Sequence, residues 1–198
     1  MPETGVAGGT SGGPGNIATV TDIASLARQL VFSTQLRLTS ASTLTRPANT
    51  TAYAAGQLVA SNVTAGSIVV PSLAVALNNA GSGIVKRLRL RASQTTGLTA
   101  ATSFGVDLWT AAPTFTNGDG GAYVVATGSA SWLGTFTFGS MFQAGDGAFA
   151  AAAPDVGQEI WFVCGAGSSN LYWSLFTNSA FTPTSGETFV LTAELAQD

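Results

Sequence analysis

The sequence predicts an all-β fold: a jelly-roll-like β-sandwich behind a Gly-rich N-terminal arm and one short N-terminal helix. Three observations carry this reading. Apolar and polar residues alternate with period two from Val31 onward, which is the pattern of half-buried strands. The segments are short and are separated by Gly, Pro, Asn and Asp clusters at roughly regular intervals, as in sandwiches and barrels. No fixed-period repeat is visible, which argues against a propeller or solenoid. With 198 residues and 45% hydrophobic content, the chain can bury one core as a single domain. Residues 1–30 are read as arm and helix, and residues 31–198 as one β-sandwich domain.

The elements follow in order. Residues 1–16 are dominated between Gly5 and Gly15 by Gly with Ala, Thr, Ser and Pro14, a composition that cannot repay its own ordering entropy. Such an arm gains order only against a partner surface, and Gly8, Gly9, Gly12 and Gly13 are read as contacts with a neighbouring subunit or another partner. Between Asn16 and Leu30, Thr21 or Asp22 can cap a helix whose stripe is Ile23, Ala24, Leu26, Ala27 and Leu30. Phe32, Thr34, Leu36 and Leu38 then alternate with Ser33, Gln35, Arg37 and Thr39 as the first strand. Further strands are expected at 57–60, 67–70, 84–92, 103–110, 123–127, 132–138, 159–165, 171–177 and 188–193, eight to ten in all. Turns fall at Asn78-Asn79-Ala80-Gly81, Asn117-Gly118-Asp119-Gly120-Gly121, Gly145-Asp146-Gly147 and Thr182-Pro183-Thr184-Ser185-Gly186.

Composition narrows function. The chain has no histidine, one cysteine, and 7 Lys+Arg with 10 Asp+Glu; charged residues are 9% of it. An ordinary soluble domain carries about 25%. Acid–base chemistry, nucleophile activation and transition-metal binding draw mostly on the residues this chain lacks, so no catalytic residue, cofactor or metal is expected. A weakly charged exterior costs little to desolvate and suits burial against copies of itself or partners. An extracellular monomer kept soluble by hydroxyls and glycines is the competing reading. A net charge of −3 and a pI near 4.7 argue against nucleic acid. No apolar stretch approaches the ~18 residues of a membrane helix, and Met1-Pro2-Glu3 opens no basic-then-apolar leader, so neither membrane nor secretion is expected. Without a leader, the sequons at Asn49 and Asn62 are read as chance.

Few motifs offer chemistry. Lys86-Arg87-Leu88-Arg89-Leu90-Arg91 holds four of the seven positive charges. On a strand Arg87, Arg89 and Arg91 share one face, with Lys86, Leu88 and Leu90 on the other. The stripe can meet a neighbouring subunit's carboxylates or a phosphate, or simply solvate an outer sheet face. Nucleic acid ranks last, because stacking aromatics are not interleaved. The segment around Asp119 supplies one carboxylate where calcium wants several oxygen ligands, so it reads as a turn. Asp107, Asp119, Asp146, Asp155 and Glu159 show no spacing suited to glycoside hydrolysis. Trp109, Trp132, Trp161, Tyr172, Trp173 and Phe176 read as core or subunit interface before a sugar platform. Cys164, at the end of Ile160-Trp161-Phe162-Val163, reads as a buried thiol.

One stretch, Thr45-Arg46-Pro47-Ala48-Asn49-Thr50-Thr51-Ala52-Tyr53-Ala54-Ala55-Gly56-Gln57-Leu58-Val59, resembles a segment of tailed-bacteriophage virion structural proteins. The basic strand at 84–92, Phe104-Gly105-Val106-Asp107-Leu108-Trp109-Thr110-Ala111-Ala112-Pro113-Thr114-Phe115 and Leu133-Gly134-Thr135-Phe136 are similar to the same group, so the likeness spans roughly 45–138. The resemblance implies a virion component assembled in the host cytoplasm: a capsid decoration protein or related head or tail accessory protein. The partners it implies are the major capsid protein or another virion protein, and further copies of the chain. It supplies no active site. A tail-fibre or baseplate module that binds a host surface glycan remains the alternative.

Overall fold

The computed structural model describes residues 36–98, 102–154 and 159–197, and in them the alternating segments pair into two antiparallel sheets around one core. The first sheet runs in the order β1 (Leu36–Thr45), β13 (Thr188–Gln197), β4 (Ser82–Ala92), β10 (Gly147–Ala152), β9 (Phe142–Ala144), and β11 (Ile160–Val163) also pairs with β4. The second runs β2 (Leu58–Val59), β12 (Asn170–Thr177), β5 (Phe104–Trp109), β8 (Trp132–Phe138), with β3 (Ser72–Ala74) also on β12. A small ladder joins β6 (Thr114–Phe115) to β7 (Val125–Thr127). The chain passes repeatedly between the two sheets, as from β1 to β2, β4 to β5 and β12 to β13, and the result is an all-β sandwich.

Alternation decides what lies between the layers. Leu88, Leu90, Phe189, Leu191 and Leu195 point inward from the first sheet, and Phe104, Val106, Leu108, Phe136, Phe138, Leu171, Trp173 and Leu175 from the second. Phe104 meets Phe181 and Phe189 edge-on, with ring centroids 5.2 and 5.4 Å away. Each such side chain contributes about 1.5–3 kcal/mol on full burial.

Two bulges redirect side chains. On β4, Arg87 opposes Glu194 but Val85 opposes Leu195, so Lys86 has no residue opposite it. Lys86 therefore turns to solvent and pairs with Glu159, instead of sharing the inner face with Leu88 and Leu90 as strict alternation predicts. On β8, Leu108 opposes Gly134 while Trp109 opposes Trp132. The skipped Leu133 packs on the core, and Trp132 moves to the outer face of the second sheet.

Other expectations shift for local reasons. The arm and the helix at 16–30 lie outside the described residues, as does the start of the strand expected from Val31. The strand expected at 67–70 is extended chain after a 3-10 turn at Ala65–Ser67, and pairing begins only past Pro71. Pro71 has no N–H to offer a ladder, but its carbonyl accepts from the Trp173 N–H at 3.0 Å. The hairpin β9–β10 forms around Gly145-Asp146, the predicted turn, out of a Gly/Ala segment that carries little strand signal.

Candidate interaction surfaces and buried polar clusters

The register sets the outer face of the first sheet in rows. One row runs Thr43, Val190, Arg91, Phe149, Phe142; the next Ala41, Thr192, Arg89, Ala151; the third Thr39, Glu194, Arg87. Arg87, Arg89 and Arg91 thus share one outward face, as their alternation predicts. Glu194 accepts two hydrogen bonds from Arg87, at 3.0 and 2.7 Å, and lies 3.3 Å from Arg89; Arg91 pairs with Asp146 at 3.0 Å. All three guanidinium side chains remain about half exposed, so these pairs are worth little in the isolated chain. Beside the ladder, the Phe142 and Phe149 rings meet at a tilt with centroids 5.1 Å apart while 64% and 48% exposed. A shallow hollow of about 450 Å³ lies between Arg89, Arg91, Phe149, Ala151 and Thr192. Trp161 and Val163 of β11 are also exposed. The other predicted contact residues, Gly8, Gly9, Gly12 and Gly13, lie outside the described residues.

The second sheet's outer face carries a polar network instead. Asp107 is buried and accepts from the Tyr123 hydroxyl at 2.6 Å, from Trp132 Nε1 at 3.2 Å, and from the Thr135 hydroxyl. Ser174 shares a hydrogen with Tyr123 at 2.7 Å and accepts from Trp109 Nε1 at 2.9 Å. Gly105 makes room for this cover: a Cβ there would lie 2.1 Å from the Phe176 ring, on which Tyr123 stacks at 4.6 Å. Burial first, then the charge and hydrogen bond of Asp107, push the Tyr123 hydroxyl well above its ordinary pKa.

A second cluster ties the turn at Asp119 to the end of β1. Arg46 and Asp119 form an ion pair at 2.9 Å with side chains 1% and 2% exposed. Tyr53 links them, accepting from Arg46 Nε and donating to Asp119, and it lies flat against Phe181 with centroids 4.9 Å apart. Asp119 also accepts from the Ala60 N–H at 2.9 Å. Gly118 permits this approach, since a Cβ there would meet the Val63 carbonyl oxygen at 1.9 Å, and Gly120 turns the chain at φ +78. Burial, reinforced by Asp119, raises the Tyr53 pKa far above the usual phenol. Glu187, 1% exposed, has no hydrogen-bond partner for either carboxylate oxygen among the described residues. Burial pushes its pKa up to about 7, against lowering contributions from the Thr184 backbone and then from the nearby Arg46 charge.

The carboxylates singled out in the sequence therefore do not gather in a cleft: Asp107 and Asp119 are tied inside, Asp146 and Glu159 hold surface cations, and Asp155 lies outside the described residues. The turn at 117–121 is present, but sequence reasoning missed that its carboxylate is an anchor for Arg46. With so few charges in the chain, an arginine just before Pro47 was the available signal. Among the described residues no three His, Cys, Asp or Glu side chains could hold a metal, and no helix is long and apolar enough to cross a membrane. The aromatic set divides: Trp109 and Trp173 are buried, whereas Trp132 and Trp161 are more than half exposed. Cys164 is buried, and desolvation raises its thiol pKa.

No family model matches the chain, and no curated protein matches it. Among solved structures it is similar to a chain described as "Cyanophage Pam1 capsid asymmetric unit", over 100% of this chain and 99% of that one, at 14% identity and a TM-score of 0.30. A likeness at that level carries no argument about this chain.

Proposed function

We propose that the protein is a non-enzymatic phage virion structural protein, a capsid decoration protein that binds the outer capsid surface as a homotrimer. The observation that carries the reading is the outer face of the first sheet. There, exposed Phe142 and Phe149 lie beside an arginine ladder whose three guanidiniums share two carboxylates, Glu194 and Asp146. Aromatics and arginine are what protein interfaces accumulate at the expense of lysine, and the positive charge left over suits a carboxylate of the covering subunit. The phage-like segments between 45 and 138 supply the virion context. In this reading the ladder face meets a neighbouring subunit and the Gly-rich arm meets the capsid; the chain needs no cofactor, nucleic acid or membrane. Quantitative mass spectrometry of purified particles is expected to count the protein in the hundreds, on the scale of capsid symmetry. A handful of copies per particle would move it to the tail and end the decoration reading.

Two outcomes follow. Replacing Arg87, Arg89 and Arg91 together with Ser should dissociate the oligomer at low micromolar concentration. Losing one side of a covered pair costs about 2–5 kcal/mol, against about 0.2–1 kcal/mol for an exposed one. Sedimentation of the triple variant reads this, and an unaltered oligomer means the ladder points at water. Deleting residues 1–16 should weaken docking to particles while the β domain keeps its melting temperature, because small residues add little to a core but let backbones approach closely. Particle binding unchanged by the deletion refutes the arm's role.

A further inference from the structure

We propose a saccharide-binding subsite at the seam between the two sheets, where β8 faces β11. A groove of about 350 Å³ is lined there by Trp132, Thr135 and Glu159, with Leu133 and Ile160 below. That volume falls within the range of small-ligand clefts.

The observation behind the proposal is how Trp132 is held. A tryptophan 51% exposed would ordinarily rotate freely, but its indole N–H is tied at 3.2 Å to Asp107, which the Thr135 and Tyr123 hydroxyls hold in turn. The ring is fixed by a buried carboxylate and still offers its surface to solvent. A fixed, exposed aromatic face fits the C–H side of a pyranose ring, because ordering the protein side chain has no further entropy cost on binding.

The polar walls fit the hydroxyl side of the same ring. Thr135 donates to Asp107, which leaves its oxygen lone pairs for a ligand hydroxyl. Glu159 supplies acceptors on the opposite wall, and its charge is offset by Lys86 at 2.9 Å, both side chains being about half exposed. β8 is the last strand of its sheet, and its backbone groups on the side away from β5 have no strand partner among the described residues. A balanced ion pair favours a neutral ring over a charged one. The ligand class is a neutral β-linked saccharide, whose equatorial hydroxyls leave a flat C–H face. The subsite does not rest on the decoration reading, since a virion surface protein of any location could carry it.

The test is NMR titration of the full chain with cellotriose and, separately, chitotriose, up to about 20 mM, beyond the millimolar range of a single weak contact. Saturable movement of the Trp132 indole resonance, assigned by its loss in Trp132→Phe, is the expected result, with the Trp173 indole unmoved. Trp132→Ala should weaken binding at least about tenfold, the equivalent of 1.4 kcal/mol. Glu159→Gln, a change at an exposed position that leaves the fold intact, should weaken it several-fold. Absence of saturable shifts with both trisaccharides overturns the proposal, as does binding that Trp132→Ala and Glu159→Gln leave unchanged.

Discussion

Asp119→Ala is expected to lower unfolding free energy by about 3–5 kcal/mol, a large part of the 5–15 kcal/mol that holds a typical domain. The change strands three groups at once. Arg46 keeps a buried charge with no carboxylate beside it, held only by the Tyr53 hydroxyl and by weak contacts to Asn49 and the Thr184 carbonyl at 3.3 and 3.4 Å. Tyr53 loses the acceptor of its hydroxyl hydrogen, and the Ala60 N–H loses the oxygen at 2.9 Å. An unpaired buried charge accounts for most of the loss, since removing one partner costs more than the pair itself contributes. Asp119→Asn, which keeps acceptors but not charge, should fall in between. The double change Arg46→Met with Asp119→Leu should recover much of the stability. Urea denaturation measures all three, and a loss under about 1 kcal/mol for Asp119→Ala would show that water reaches the pair.

Glu187→Gln is expected to act in the opposite direction, stabilising the protein at pH 8 by up to about 3 kcal/mol and leaving it nearly unchanged at pH 5. The carboxyl titrates near 4.5 in the unfolded chain and at about 7 in the folded one. Between those values the native state holds a proton that the unfolded state has released, so stability falls as pH rises through the interval and stays low above it. Burial of the carboxyl is the physical cause, outweighing the lowering effects of the Thr184 backbone and of the Arg46 charge. Gln cannot ionise, so its melting temperature should vary less between pH 5 and 8. A parallel pH dependence in the two proteins would mean that Glu187 is ionised in the fold throughout.

Where side chains alternate cleanly, the strands could be read without coordinates. Leu88, Leu90, Arg89 and Arg91 announce both the faces of β4 and the ladder. Legibility ended where pairing depends on partners distant in the chain. Lys86 faces solvent because of a bulge specified across the sheet at Glu194 and Leu195, and Trp132 changes face because of another at Leu133. Neither shift has a local signature. β10 is a strand because β4 offers an edge, not because Gly-Ala-Phe-Ala-Ala-Ala prefers one, and β9 in turn pairs with β10. The buried clusters were the least legible. Asp119 in a Gly-rich turn looks like any turn aspartate until the fold brings Arg46 and Tyr53, 73 and 66 residues away, against it.

The position of β13 sets the timetable of synthesis. It lies between β1 and β4; β1 precedes it by nearly the whole length of the β unit and β4 by well over half of it. Until Thr188–Gln197 has been synthesised, the facing edges of β1 and β4 have no strand to join them, and Leu88 and Leu90 face an incomplete layer. Pairings this distant in sequence close slowly and leave apolar surface open meanwhile. Among the described strands, β13 is thus the one whose arrival joins β1 to β4 and completes the layer over Leu88 and Leu90.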